Sequence, residues 1–136
     1  MEEQLSFLRE IDHLKQVIRK SPLIDKSRRE NSAEHSWHLA MYALILSEFS
    51  SEDINIDRVI RMLLIHDIVE IDAGDHPIHE TIENDDQEEL EKLAAKRIFG
   101  LLPEEQGEPL RELWLEFEMG ESKDAAFAKS LDRFQP

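Results

Sequence analysis

The stretch Met62-Leu63-Leu64-Ile65-His66-Asp67-Ile68-Val69-Glu70 lies near the middle of the 136-residue chain. Apolar residues surround much of this segment when it is drawn as a helix, which is typical of a helix at the centre of a bundle. Three ionisable side chains, those of His66, Asp67 and Glu70, interrupt or follow the apolar run. The stretch therefore predicts a central helix, over about 57–71, that carries polar chemistry at one end.

The segments on either side also place apolar residues at helical spacing, and glycine and proline are scarce, with four and five copies. This pattern predicts five more helices, over about 5–18, 33–49, 84–99, 103–119 and 123–134. Ser21-Pro22 would end the first, and Ser32 and Ser122 would cap the second and the last. No strand pattern or repeat is visible. We predict an all-α fold, with one domain over 1–136, a bundle of about six helices and no sheet.

The second helix is predicted from its apolar residues to bury one particular stripe. The members of this expected stripe are Trp37, Ala40, Met41, Leu44 and Ile45. Their spacing fits the inner face of an amphipathic helix.

Acidic residues dominate the composition, with 31 Asp and Glu against 16 Lys and Arg and a formal net charge of −15. The electrostatic field of this net negative charge repels a nucleic-acid polymer, whereas a small phosphorylated ligand can still bind beside a local cation. The absence of cysteine excludes disulfide scaffolds, zinc fingers and thiol nucleophiles. The N-terminal segment does not look like a signal peptide, and no apolar stretch approaches the ~20 residues that cross a bilayer. We therefore expect a soluble cytoplasmic protein with no membrane partner.

His66 and Asp67 are adjacent, about 100° apart on a helix, yet their side chains can converge on one ion in the wedge between them. Burying Asp67 without compensation would cost on the order of several kcal/mol. A divalent cation provides that compensation and leaves the imidazole neutral to bind it. Glu70 shares a helix edge with both residues. The alternative is a half-exposed helix end at which the same side chains meet water.

Two other helices carry candidate partners for this pair. His35 and His38 lie three apart at the start of the second helix, where the macrodipole disfavours a charged imidazole but not a neutral, metal-bound one. The alternative is a partly buried histidine with one hydrogen bond, and His38 is a candidate outer partner of His35. Asp132 follows Ala125 and Ala128 along one side of the last helix, which allows close approach to another helix. Its alternative is a solvated surface acid.

The ordered set His35, His66-Asp67 and Asp132 resembles the H…HD…D signature of the HD-domain metal-dependent phosphohydrolases. Two flanking segments are similar to the branch that contains the 5′-deoxynucleotidases, namely Arg29-Glu30-Asn31-Ser32-Ala33-Glu34-His35-Ser36 and Leu64-Ile65-His66-Asp67-Ile68-Val69-Glu70 with the following Gly74-Asp75. The resemblance extends from about residue 7 to residue 136 and implies an HD-domain helical bundle. It also implies one divalent metal ion, Mn²⁺, Co²⁺, Fe²⁺, Zn²⁺ or Ni²⁺, held by His35, His66, Asp67 and Asp132.

The same resemblance assigns roles to residues around the metal. Glu70 matches the acid that orients or deprotonates the attacking water, and Asp75 matches the position that meets the sugar of a nucleotide. Arg28 matches the residue that reaches the substrate phosphate. Where the characterised nucleotidases have an Arg-Trp pair in the first loop, this chain has Lys20-Ser21. Lys20 or the neighbouring Arg19 is therefore the expected replacement for the charge, and the aromatic surface is missing.

The function that the resemblance implies is release of phosphate from a small phosphomonoester, with a 5′-nucleoside or deoxynucleoside monophosphate as the expected substrate and a homodimer as the expected assembly. Relatives continue past the position of Asp132 with helices that cover the site, so we expect this chain to lack them. Two alternatives stay open. One is another phosphoester or diester hydrolase or a dinuclear oxygenase, in which His76 or His79 would hold a second ion. The other is a metal-stabilised helical binding module without catalysis.

Overall fold

The structure is a computed structural model that describes residues 1–51, 53–74 and 84–135. Most of these residues are helical, so the predicted all-α bundle is confirmed. The α-helices are α1 (Glu2–Ile11), α2 (Ser32–Ile45), α3 (Ile56–Ile65), α4 (Glu70–Ala73), α5 (Asn84–Phe99), α6 (Glu104–Met119) and α7 (Lys123–Phe134). The other elements within the described residues are two short 3-10 helices, Asp12–Gln16 and Ser47–Phe49, and two strands, β1 (Ile18–Pro22) and β2 (Arg29–Asn31).

The expectation of no sheet is wrong at one place, because β1 and β2 form a short antiparallel hairpin in which Ile18 pairs with Asn31. The first helix, predicted to reach Ile18, ends at Ile11 and continues only as a 3-10 turn. The β-branched Val17 takes an extended backbone there. The residue before Pro22 is also disfavoured in the helical region, so the chain runs on as a strand. This hairpin leads directly into α2.

Helix α2 buries a different face from the predicted one. Of the expected stripe, only Ala40 is buried, whereas Trp37, at 60% exposed, and Ile45, at 65% exposed, face outward with Met41 and Leu44. The buried face consists mainly of small and polar residues, namely Ser32, His35, Ser36, Leu39, Ala40 and Ala43. Helix α2 packs on α3 and α7, and the small residues on its buried face allow this close approach. Apolar content alone therefore predicted the wrong side of the helix.

Helix α3 is the central helix, as predicted, because Val59, Met62 and Leu63 are completely buried. It ends earlier than expected, at Ile65, and a turn separates it from α4. The imidazole Nδ1 of His66 lies 2.6 Å from the carbonyl oxygen of Leu63 and competes for the acceptor that a continuing helix would use. His66 and Glu70 therefore do not lie on one uninterrupted helix edge.

The three C-terminal helices lie close to their predicted bounds. Helix α5 covers the predicted range, and Ser122 caps α7 by accepting a hydrogen bond from the backbone N–H of Ala125 at 3.1 Å. Trp114 and Phe117 of α6 are core residues. Within the described parts of the chain, no helix combines the length and the apolar character needed to cross a membrane.

Candidate metal centre

Three of the four predicted metal ligands converge from separate helices. His35 lies in the first turn of α2, His66 follows the last residue of α3, and Asp132 lies in the last turn of α7. One ligand atom from each lies within 4.8 Å of the other two. His35 Nε2 lies 2.9 Å from Asp132 Oδ1. A single ion can therefore be reached by all three side chains.

Asp67, the fourth predicted ligand, borders this group. Its Oδ1 lies 3.3 Å from His66 Nε2, and its Oδ2 lies 4.0 Å from His35 Nε2. The carboxylate is half-buried, so it meets both imidazoles without being sealed from the solvent side. The adjacent side chains of His66 and Asp67 thus do point into a common space.

The hydrogen-bonding pattern fits a bound cation. A carbonyl oxygen only accepts, so the 2.6 Å contact between His66 Nδ1 and the Leu63 carbonyl requires a proton on Nδ1. In the neutral ring this leaves a bare lone pair on Nε2, which is buried and makes no hydrogen bond to the described residues. A buried polar atom without a partner is costly. A metal ion beside His35 and Asp132 would satisfy it.

The electrostatics of the site favour a cation as well. Burial raises the pKa of Asp132, but the hydrogen bond with His35 and the nearby charges of His66, His35 and Arg19 outweigh it, so the pKa lies below the ordinary carboxyl value. Asp132 is therefore an anion at neutral pH. Two nitrogens and two carboxylates form a donor set suited to divalent transition metals.

Glu91 of α5 and Glu118 of α6 bring two more carboxyl groups into the surroundings of Asp67. Burial, with the charges of Glu118 and Asp67, raises the pKa of Glu91 to about 7. Burial also raises the pKa of Glu118, against the opposing effect of Lys129. Both carboxyl groups thus hold protons more readily than exposed glutamates do, and they mark an acidic environment around the centre.

Glu70 is held in place by Ser32, which the sequence predicts to be the N-cap of α2. The hydroxyl of Ser32 donates to Glu70 Oε2 at 2.9 Å. The predicted N-cap role of Ser32 is wrong, because Asn31 caps α2 in a reciprocal arrangement with Glu34. Ser32 is instead the first helical residue, and its buried side chain points to the site.

Glu30, which the sequence analysis did not single out, contacts the site from behind His35. Its Oε1 lies 3.2 Å from His35 Nδ1 and accepts a hydrogen bond from Arg19 at 2.9 Å. Gln135 donates to Glu30 Oε2 at 3.3 Å and lies 2.8 Å from the Nδ1 of His38. His38 therefore contacts Gln135, and Glu30 holds the position beside His35 that we expected for His38. A lone acid in a basic segment gave no periodic signal that could have identified it.

Of the residues predicted to contact the substrate, the structure describes Arg28 and Lys20. Arg28 is exposed and makes a two-pronged ion pair with Glu34, whose pKa falls to about 2 mainly because of that hydrogen bond. Lys20 lies on the exposed side of β1. Asp75, His76 and His79 fall outside the described residues.

A cavity of about 680 Å³ opens beside the centre and shares Glu30 and Gln135 with it. Arg28 and Lys26 bring positive charge to its wall, and Trp37 brings an aromatic ring. Ser21, from the Lys20-Ser21 pair in which the sequence departs from the nucleotidases, lines the same cavity. Cationic and aromatic groups thus line a cavity that reaches Glu30, whereas none of the four proposed metal ligands lines it.

The family model for the HD domain matches residues 11–136, which is nearly the whole chain. This chain belongs to the HD-domain family. The HD domain is 56% identical to a predicted metal-dependent phosphohydrolase from Magnetospirillum magnetotacticum MS-1, whose crystal structure superposes with a TM-score of 0.92 over 99% of this chain and 69% of that one. The resemblance inferred from the sequence is therefore confirmed at the level of the family.

Curated relatives of this HD domain are called 5′-deoxynucleotidases. The human 5′-deoxynucleotidase HDDC2 is 34% identical over 130 residues, which are 95% of this chain and 62% of that protein. The Photorhabdus temperata 5′-deoxynucleotidase yfbR is 30% identical over 113 residues, or 77% of this chain and 57% of that protein. The HD domain thus spans about three fifths of the length of these relatives.

Proposed function

We propose that this HD domain is a metal-dependent phosphohydrolase that releases inorganic phosphate from a 5′-nucleoside or deoxynucleoside monophosphate. The observation that carries the proposal is the buried Nε2 of His66, which makes no hydrogen bond to the described residues and lies beside His35 and Asp132. The names of the relatives support the reaction class and the nucleotide substrate. His35, His66, Asp67 and Asp132 are the proposed ligands of one divalent ion.

A divalent ion at this position would lower the pKa of a water molecule and neutralise charge on the phosphoryl oxygens. Glu70 is proposed to accept the proton of the attacking water, and Ser32 fixes the direction of its carboxylate through the 2.9 Å hydrogen bond. The hydrogen bond from His66 Nδ1 to the Leu63 carbonyl leaves Nε2 as the lone-pair nitrogen of the neutral ring. Phosphoryl transfer then depends mainly on positioning and charge neutralisation.

The cavity beside Glu30 supports a nucleotide as the substrate. Arg28 lines it and is proposed to contact the phosphate, with Lys20 as a second cation. Trp37 offers a stacking surface on the wall that Ser21 also lines. Asp75 is proposed to accept a hydrogen bond from the sugar.

Phosphate release from a panel of nucleoside monophosphates, with metal-free protein to which Mn²⁺ or Co²⁺ is returned, tests the proposal. We expect metal-stimulated turnover that a chelator abolishes, and a fall of about 100-fold or more for Glu70→Gln, since a general base contributes roughly 10²–10⁴-fold. Glu89→Gln, which removes an exposed carboxylate from α5, is the matched control and should leave the rate unchanged. Equal rates for Glu70→Gln and the parent would remove Glu70 from its role.

The same assay separates the rival functions. Binding of metal without release of phosphate from any ester would favour the binding module. Two ions per chain by elemental analysis, or turnover of diesters alone, would favour the dinuclear or diesterase alternative. For the substrate contacts, we expect Arg28→Ala and Trp37→Ala to raise KM for the nucleotide more than they lower kcat.

We also propose that the protein acts in the cytoplasm and that it forms a homodimer. The exposed apolar residues of α2 support self-association, because contiguous apolar surface commonly marks an interface. Sedimentation of the purified protein tests the second proposal. The assignment of 1–136 to a single domain is part of the same proposal.

A further inference from the structure

Glu30 is a buried carboxylate, 5% exposed, at the end of the hairpin that precedes α2. A buried charge is tolerated when several donors surround it. Two donors are Arg19 from β1, at 2.9 Å, and Gln135 after α7, at 3.3 Å. The third neighbour is the Nδ1 of His35, at 3.2 Å. Glu30 therefore joins β1, α2 and the segment after α7 at the back of the candidate metal centre.

The contact with His35 determines which nitrogen carries the proton. A carboxylate only accepts hydrogen bonds, so the approach of Glu30 Oε1 to Nδ1 is favourable when Nδ1 bears a hydrogen. Nδ1 is buried and makes no hydrogen bond to the described residues, and Glu30 Oε1, at 3.2 Å, is its charged neighbour. In the neutral ring the lone pair is then on Nε2, and Nε2 is the atom that faces Asp132 at 2.9 Å. Glu30 thus selects the form of His35 that can bind a metal.

We propose that Glu30 is a positioning residue for the metal centre: it fixes the ring orientation and the tautomer of His35 and increases the basicity of Nε2. The inference deepens the proposed function, on whose metal centre it rests. Hydrogen bonding of a ligating histidine to a carboxylate raises its ligand strength in metal sites generally. The comparison with His66 supports the assignment. The Nδ1 of His66 donates to the neutral carbonyl of Leu63, whereas the Nδ1 of His35 faces the carboxylate of Glu30. His35 is therefore the ligand whose strength depends on a side chain.

The competing role is purely structural, since the Arg19–Glu30 pair also joins the two strands of the hairpin. A measurement of metal affinity separates the two roles, because a hairpin clamp has no effect on affinity once the protein is folded. Glu34→Gln is the matched control. It breaks another Arg–Glu pair of the same segment, Arg28–Glu34, and Glu34 does not contact an imidazole in the structure as described.

The experiment titrates the parent, Glu30→Gln, Glu30→Asp and Glu34→Gln with Co²⁺ and Zn²⁺ in competition with a chromophoric chelator. The visible spectrum of the bound Co²⁺ and the melting temperature of the chelator-treated protein are recorded in parallel. For Glu30→Gln we expect metal affinity to fall roughly 10–100-fold and the Co²⁺ spectrum to change. Glu30→Asp, which keeps the charge but shortens the side chain, should give an intermediate affinity. Glu34→Gln should bind like the parent.

Parent-like affinity and spectrum for folded Glu30→Gln would overturn the proposal, and so would an equal loss in Glu34→Gln. If Glu30→Gln does not fold, Glu30→Asp decides: parent-like affinity and spectrum in that variant overturn the proposal. A parent that binds no divalent ion would instead overturn the proposed function itself. The two failures are therefore distinguishable.

Discussion

The Nε2 of His35 lies 2.9 Å from the Oδ1 of Asp132, although 97 positions separate the two residues in the chain. With a proton on the Nδ1 of His35 and an ionised Asp132, both facing atoms are acceptors. Such a pair requires a proton or a cation between its members. A divalent cation bound between them would meet both acceptors, so metal binding should stabilise the folded protein.

The size of this stabilisation depends on the free metal concentration. At free metal about 100 times Kd, binding adds about 2.7 kcal/mol to the free energy of unfolding. For a chain of this size, that corresponds to roughly 10 °C in Tm. Differential scanning calorimetry with and without Mn²⁺ or Co²⁺ measures the shift. We expect Asp132→Asn to lose most of it, because an amide is a weaker ligand than a carboxylate.

Asp53→Asn is the control for this experiment, because Asp53 is exposed and pairs with Lys123 at the other end of α7. It should keep the full metal-induced shift. A shift in Asp132→Asn as large as in Asp53→Asn would remove Asp132 from the ligand set.

Ser32 gives a second prediction, concerning kcat rather than metal binding. Ser32→Ala removes the hydroxyl that donates to Glu70 Oε2. A hydrogen bond to a charged group contributes about 1.5–3 kcal/mol, and 1.36 kcal/mol is a factor of ten in rate. Because Glu70 would keep its charge but lose its direction, we expect a fall of roughly tenfold in kcat with unchanged metal affinity.

Ser36→Ala tests whether this effect is specific. Ser36 is buried on the same helix face as Ser32, and its hydroxyl makes no hydrogen bond to the described residues. It should have parent-like turnover. An equal loss of kcat in both serine variants would attribute the effect to packing of α2 and contradict the role of Ser32.

The sequence predicted the helices well where the periodicity and the end signals agreed. Helix α5 begins and ends as predicted because Gly100 follows a long amphipathic segment, and α7 begins after the predicted cap at Ser122. The β1–β2 hairpin was missed because three- and five-residue strands are too short for an alternating pattern to stand out. Local sequence signals were therefore sufficient to predict the helices but not the pairing of two short strands.

The candidate site was partly predictable for a different reason. The resemblance to the HD-domain signature grouped His35, His66, Asp67 and Asp132 before their proximity was known, and their role as ligands stays a prediction. Glu30 and the contact between Ser32 and Glu70 depend on tertiary packing, which no sequence interval encodes. The orientation of α2 was wrong for the same reason. Exposure of Trp37 and burial of His35 follow from where α3 and α7 meet the helix.

Glu91 gives a third prediction, concerning pH and stability. The pKa of Glu91 is raised from 4.5 to about 7, first by burial and then by the charges of Glu118 and Asp67. The folded protein therefore holds this proton over an interval in which the unfolded chain has released it. Because the folded state binds more protons there, its stability should fall as pH rises from about 4.5 to about 7.

Glu91→Gln removes this penalty, since the amide stays neutral at every pH. In chelator-treated protein, we expect the free energy of unfolding of the variant to exceed that of the parent by a margin that grows up to about pH 7 and then levels off. Because Glu91 is only partly buried, screening by solvent limits the margin to about 1 kcal/mol. Urea denaturation at several pH values measures it. Glu89→Gln, which removes a carboxylate from the exposed side of the same helix, is the control. If the gain in free energy of unfolding for Glu91→Gln grows no more steeply with pH than the gain for Glu89→Gln, burial of Glu91 is not the cause.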